Sequence, residues 1–128
     1  MRPIVGVTVV GEPIVHRLEE PWTLLMFLST TCEGCQELWD DCAAPETSPL
    51  PADLVRLVIT RCADEESAAA LERARGATVV MSDGAWADYG VHSGPFFVLV
   101  QRGERIATEG VAWSLDQIAA AVTAARTT

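Results

Sequence analysis

Several features that mark common functional classes are missing from this chain of 128 residues. No apolar run approaches the roughly 18 residues that a membrane span needs. The opening Met1-Arg2-Pro3 leads into residues typical of a strand, not into the apolar core of a signal peptide. These absences predict a soluble chain that is not exported, although a chain trimmed of a membrane anchor would begin in the same way.

Basic residues are also few, with 9 against 18 acidic residues and a net charge of −9. They form no cluster, and binding to phosphates requires clustered Lys and Arg. Nucleic acid is therefore excluded as an expected partner, and an anionic membrane surface is disfavoured. The apolar fraction of 49% and the length instead predict one packed domain over residues 1–128.

Cysteine is scarce as well, and its four residues are too few for a disulfide scaffold in a chain of this length. Two of them, Cys32 and Cys35, form a CxxC pair, which indicates redox chemistry or metal binding. Adding Cys42 and Cys62 gives the spacing Cys-x2-Cys-x6-Cys-x19-Cys, which allows a four-thiolate zinc site in principle. A helix would place Cys42 about 10 Å along its axis from Cys35, which opposes that site.

The pattern of apolar residues predicts alternating strands and helices. A fully apolar strand precedes the CxxC pair, and an N-terminal β-hairpin precedes that strand. The fold class is therefore α/β, with a central mixed sheet flanked by helices. Strands are predicted at 4–10, 14–18, 23–29, 54–60, 78–81, 96–101 and 105–109, and helices after Cys32 and at 65–75, 84–89 and 115–125.

The position of the CxxC pair has a physical logic. At a helix N-terminus, unpaired backbone N–H groups and the helix dipole favour an anion, so a Cys32 thiolate has a lowered pKa there and is the reactive species. Cys35 shares a helical face with the apolar Leu38 and Trp39 and with Cys42, so we expect it to be buried. This arrangement suits disulfide exchange, in which Cys32 attacks and Cys35 resolves the mixed disulfide.

The strand–CxxC–helix order, together with Gly94-Pro95 before a later strand, resembles the thioredoxin superfamily. It is most similar to the TlpA-like thiol–disulfide oxidoreductases, and also to the thioredoxin-like accessory proteins of methylamine dehydrogenase maturation. The likeness covers nearly the whole chain. It implies a thioredoxin-like fold and a redox-active Cys32–Cys35 disulfide, with Gly94 and a cis Pro95 as the substrate platform, and it requires neither a cofactor nor a metal.

The same resemblance implies protein thiols and disulfides as substrates. It also implies an upstream redox partner, which would be membrane-bound if the protein is tethered to a membrane. It also implies an extracytoplasmic or membrane-tethered setting, which nothing in the residues themselves indicates. One departure bears on mechanism. Met26 stands where thioredoxin has a buried acid, so either resolution by Cys35 is slower or a water or Glu37 accepts the proton of the buried thiol.

The sequence leaves several assignments open. Cys42 is interpreted as a core residue, with a Cys42–Cys62 disulfide as the alternative. His92, three residues before Pro95, is either a loop histidine without a special role or a group near the thiolate. The acidic residues 64–66 are expected to be solvated surface.

Two other functions share the fold. A peroxide-reducing enzyme needs a Thr-x-x-Cys signature and an upstream proline, but Ser29 and Leu25 occupy those positions. A non-enzymatic thioredoxin-like interaction or maturation module is the second alternative. An intact CxxC argues against a purely inert module.

Overall fold

A computed structural model describes residues 1–62, 66, 71 and 78–127 and contains one seven-stranded sheet. Its strands are β1 (Ile4–Val7), β2 (Pro13–His16), β3 (Trp22–Phe27), β4 (Val55–Thr60), β5 (Thr78–Met81), β6 (Phe96–Gln101) and β7 (Arg105–Val111). The helices of the described residues are α1 (Gln36–Ala43), α2 (Asp83–Asp88) and α3 (Leu115–Arg126), with short 3-10 turns at Glu33–Cys35 and Pro45–Thr47. None of these helices has the length and apolar composition needed to cross a bilayer.

The sheet is mixed, as the sequence predicts, and its order is β2-β1-β5-β4-β3-β6-β7. Strand β4 runs parallel to both β3 and β5, whereas β6 is antiparallel to β3 and to β7. The N-terminal hairpin pairs β1 with β2 antiparallel, and β1 also pairs antiparallel with β5. The expectation of an α/β fold with a central mixed sheet is confirmed.

The hairpin is shorter than predicted. The strand expected at 4–10 ends at Val7 because the Thr8 amide donates to the Glu12 carbonyl at 2.8 Å and the Gly11 amide donates to the Thr8 carbonyl at 2.9 Å. Gly11 has φ +85°, a backbone conformation that favours glycine. The turn thus takes residues whose β-branched side chains suggested strand.

The two faces of the sheet carry separate cores. Alternate residues of a strand point to opposite faces. Leu24, Met26 and Leu28 therefore join the core cluster formed with α1 and α3, whereas Leu25 and Phe27 join the cluster formed with α2. All five are buried, which explains why β3 is an almost unbroken apolar run.

The later elements follow the prediction closely. Strands β5 and β6 have the predicted bounds, and β7 continues two residues further, to Val111. The Ser114 hydroxyl accepts a hydrogen bond from the Gln117 amide at 3.1 Å and caps α3, as expected of an N-cap serine. The predicted helix at 65–75 and its closing Gly76 lie largely outside the described residues.

A buried ion pair joins α1 to β4. The guanidinium of Arg56 donates to the Asp41 carboxylate at 2.9 Å, and their side chains are only 10% and 3% exposed. Removing one partner of such a pair leaves an uncompensated buried charge, which is more costly than the pair itself is stabilising. The pair therefore links the second half of α1 to the start of β4.

We expect Arg56→Met to lower the free energy of unfolding by about 3 kcal/mol, because the buried Asp41 carboxyl group would lose its partner in the interior. Urea denaturation measures the change. The matched control is Arg2→Met, which breaks the exposed pair of Arg2 with Asp88 (side chains 84% and 45% exposed) and should cost less than about 1 kcal/mol. Equal effects of the two substitutions would contradict the interpretation.

Candidate redox site

Three chain segments meet where β3 ends. Phe27, the last residue of β3, is the register partner of Ile59 in β4 and of Phe96 in β6. Because β4 is parallel to β3 and β6 is antiparallel, the residues after β3, those after β4 and those before β6 all lie at the same end of these three strands. This arrangement brings together the CxxC segment (residues 31–35), Arg61 and Gly94-Pro95.

Cys32 and Cys35 are joined by a disulfide, with their Cα atoms 5.4 Å apart. Cys32 has an extended backbone (φ −86°, ψ 119°), and the 3-10 turn Glu33–Cys35 separates it from α1. The predicted helix thus begins with a tighter turn than an α-helix has. Cys35 is fully buried within the α1–α3 core, as expected, whereas Cys32 keeps part of its surface exposed.

The Gly94-Pro95 segment packs against the disulfide. The peptide bond between these residues is cis. The Gly94 carbonyl oxygen lies 3.4 Å from Cys32 Sγ, and a Cβ added to Gly34 would lie 3.5 Å from Pro95 Cδ. A Cβ at Gly94 would lie 2.6 Å from the Phe27 carbonyl oxygen, so a side chain there would force the backbone away from β3. Glycine is therefore required for this close approach.

A cleft of about 640 Å³ opens beside Cys32. Thr31 and Glu33 from the CxxC segment line it, together with Arg61, Trp86, His92, Gly94 and Pro95. The structure thus places His92 in the same cleft as the disulfide. The side chain of His92 is exposed, and its carbonyl oxygen accepts a hydrogen bond from Arg61 at 3.2 Å.

Glu66 holds the loop that leads into Cys32. Its carboxylate accepts hydrogen bonds from the amide and the hydroxyl of Thr30, both at 2.7 Å, from the Ser29 hydroxyl at 3.1 Å and from the Arg61 amide at 3.3 Å. The expectation that 64–66 are solvated surface is wrong for Glu66, which is partly buried; residues 64 and 65 lie outside the described part of the chain. Its one signal in the sequence is its position just after a strand of the parallel part of the sheet, where sites gather.

Met26, which replaces the buried acid of thioredoxin, and Glu37, the alternative proton acceptor, lie in different surroundings. Met26 is buried in the same core cluster as Cys35. Glu37 is exposed, and its carboxylate accepts a hydrogen bond from the Leu115 amide at 3.4 Å. Glu37 therefore satisfies a backbone donor in the first turn of α3, where a negative charge is favourable.

Cys42 is a buried core residue, as interpreted from the sequence, and it is not disulfide-bonded to Cys62. The pKa of the Cys42 thiol is raised to about 12, chiefly by burial and also by the neighbouring Asp41 carboxylate, whereas Arg56 acts to lower it. The Cys42 thiol is therefore protonated at neutral pH and is not a nucleophile.

The sequence matches no protein-family model, and no curated protein is similar enough to match it. Solved structures do match. DsbF of Mycobacterium tuberculosis, in mixed oxidised and reduced forms, has a TM-score of 0.70 at 16% identity, with 95% of this chain and 94% of that chain covered. A secreted disulfide oxidoreductase of M. tuberculosis, homologous to E. coli DsbE, has a TM-score of 0.69 at 19% identity, covering 94% and 95%.

The exposed lipoprotein thioredoxin of Streptococcus pneumoniae has a TM-score of 0.70 at 16% identity, covering 98% of this chain and 99% of that chain. At such identities the likeness concerns the fold. It covers nearly the full length of both partners in each comparison. The chain therefore has a thioredoxin-like fold, as its sequence predicts.

We expect Glu66→Ala to raise amide hydrogen exchange at Thr30 and Arg61 by at least about tenfold, because hydrogen bonds to a charged acceptor are worth roughly 1.5–3 kcal/mol. Hydrogen exchange followed by NMR measures the change. Glu104→Ala, in the exposed turn between β6 and β7, is the control and should leave both amides unchanged. Unaltered exchange in Glu66→Ala would show that the carboxylate does not hold the loop.

In the reduced, folded protein at pH 8, iodoacetamide should modify Cys32 and leave Cys42 unmodified. With a pKa of about 12, only roughly one Cys42 side chain in ten thousand is a thiolate at pH 8, and the group is also buried. Mass spectrometry of the digest reads out each site. Adding urea should make Cys42 reactive, and comparable rates at Cys32 and Cys42 in the folded protein would contradict the assignment.

Proposed function

We propose that this protein is a protein thiol–disulfide oxidoreductase, with Cys32 as the nucleophile and Cys35 as the resolving thiol. The observation that carries the proposal is the asymmetry of one disulfide. Cys32 borders an open cleft, whereas Cys35 is fully buried, and both belong to the segment that follows a central strand. A substrate therefore reaches one sulfur and not the other, which is what an ordered two-step exchange needs.

In the reducing direction, the Cys32 thiolate attacks one sulfur of a substrate disulfide. A bond forms between Cys32 and that sulfur, and the other substrate sulfur leaves as a thiolate. Cys35, after losing its proton, then attacks Cys32 Sγ, which releases the second substrate thiolate and forms the Cys32–Cys35 disulfide. The substrate gains two electrons and the cysteine pair loses two. The oxidising direction reverses the same steps.

The Gly94-Pro95 segment would act as the platform for the substrate chain. Support comes from its contact with the disulfide: the Gly94 carbonyl lies 3.4 Å from Cys32 Sγ, and Pro95 packs near Gly34. A main-chain acceptor at this place suits an extended peptide, whose amides need partners while its cysteine is joined to Cys32.

A second redox partner follows from the electron balance. Each exchange changes the oxidation state of the cysteine pair, so a second thiol or disulfide partner must return the pair to its starting state. We extend the proposal to an extracytoplasmic or membrane-tethered setting, in which that partner is membrane-bound. The support is that one structural neighbour is described as secreted and another as an exposed lipoprotein.

Cys35→Ser should trap substrates on Cys32, because the mixed disulfide forms but no resolving sulfur remains. Incubation with a protein that carries one accessible disulfide, followed by non-reducing electrophoresis and mass spectrometry, should show a covalent complex through Cys32. That complex should disappear on reduction.

Two control variants test whether Cys32 is the cysteine that carries the covalent complex. Cys32→Ser should form no complex, because the remaining Cys35 sulfur is buried. In the Cys35→Ser background, Cys62→Ser should leave the complex intact. Absence of any mixed disulfide in Cys35→Ser would refute the enzymatic proposal and favour a non-enzymatic module.

A further inference from the structure

Arg61 has a fixed position in the cleft beside the disulfide. It directly follows β4, and its guanidinium carbon lies 4.0 Å from the centroid of the Trp86 ring, a distance typical of a cation–π contact. One guanidinium nitrogen, Nη2, donates to the His92 carbonyl at 3.2 Å. Trp86 is buried, so Arg61 packs on a side chain of the core.

The charge of Arg61 is not neutralised by the described residues. No carboxylate among them lies within 4.0 Å of the guanidinium, including Glu33, which lines the same cleft. The nearby Glu66 carboxylate accepts from the Arg61 backbone amide instead. Of the five N–H donors of the guanidinium, only the bond to His92 is made to an acceptor of the described chain.

This positive charge stands out in an acidic protein. The net charge of −9 disfavours anionic ligands in general, because the summed field repels them. Among the described residues that line the cleft, Arg61 is the one with a permanent positive charge. A guanidinium whose other donors are not bonded to any described residue suits a carboxylate, which it can bind through two parallel hydrogen bonds.

We propose that Arg61 is a specificity-determining residue that binds a carboxylate close to the reacting cysteine of the substrate. The substrate class is a protein or peptide thiol or disulfide with Asp or Glu beside its cysteine. This inference rests on the proposed function, because Cys32 must react with the substrate for Arg61 to select it. The carboxylate binds Arg61 while the substrate sulfur lies at Cys32, and both groups border one cleft.

The test uses two peptide disulfides that differ only in Glu or Gln beside the cysteine. We expect the wild-type protein to exchange with the Glu peptide at about fivefold higher kcat/KM, because a charge-assisted pair in a partly shielded cleft exceeds an exposed one. Arg61→Gln should abolish the preference. The ratio between peptides cancels any change that the substitution makes to Cys32 itself.

Further arms separate charge recognition from structure. Arg61→Lys keeps the charge but loses the planar fork, so a reduced preference should remain. Raising the salt concentration should shrink the wild-type preference, since exposed charges are screened. Arg105→Gln, an exposed arginine on β7, is the matched control and should keep the full preference.

The outcomes distinguish this proposal from the one on which it rests. If the wild type exchanges with both peptides equally, or if Arg61→Gln keeps the preference, the Arg61 proposal is overturned and the oxidoreductase proposal stands. If neither peptide exchanges, both proposals fail. If the preference is absent between peptides but glutathione disulfide reacts in an Arg61-dependent way, a small-molecule carboxylate is the ligand and the peptide assignment is wrong.

Discussion

The register of β3 between β4 and β6 is the constraint on which the site depends. It sets Phe27 opposite Ile59 and Phe96, and so brings the loops after β3, after β4 and before β6 to the same end of the sheet. Side chains alternate along a strand, so a slip of one residue would exchange the two faces of β3. Both faces are apolar here, and hydrophobicity alone discriminates weakly between the two registers. Contacts made by the loops favour the observed register: Gly94 packs on the Phe27 carbonyl, and the Glu66 carboxylate accepts a hydrogen bond from the Thr30 amide.

Two sulfurs on one helical face show how position decides chemistry. Cys35 and Cys42 both belong to the buried face of the helical segment, yet Cys35 lies at its start and reaches the partly exposed Cys32. Cys42 lies two turns further along the helical segment, where burial is the main cause that raises the pKa of its thiol to about 12. Cys35 can therefore take part in disulfide exchange through its bond to Cys32. Cys42 contributes packing and stays protonated.

The sequence predicts the features that depend on local patterns. The apolar run before Cys32, the buried face of Cys35 and Cys42, and the cap at Ser114 each follow from spacing, and the structure contains all three. Apart from the place of Gly94-Pro95 beside Cys32, which the resemblance implies, features that depend on contacts between distant residues escape prediction. Glu66 looks like part of a solvated acidic stretch until the fold brings it to Thr30, 36 residues away. Arg61 likewise has no signal until Trp86, from another element, lies beneath its guanidinium.

A redox titration of Cys32 and Cys35 tests the account most directly. The protein would be equilibrated in buffers of graded thiol–disulfide potential, and the free thiols would be alkylated and counted by mass spectrometry at each cysteine. We predict one reversible two-electron transition in which Cys32 and Cys35 change together, with a tenfold change in their ratio for about 30 mV, while Cys42 keeps its thiol throughout. A pair that stays oxidised or reduced across the whole range, or that titrates as two independent thiols, would contradict the account.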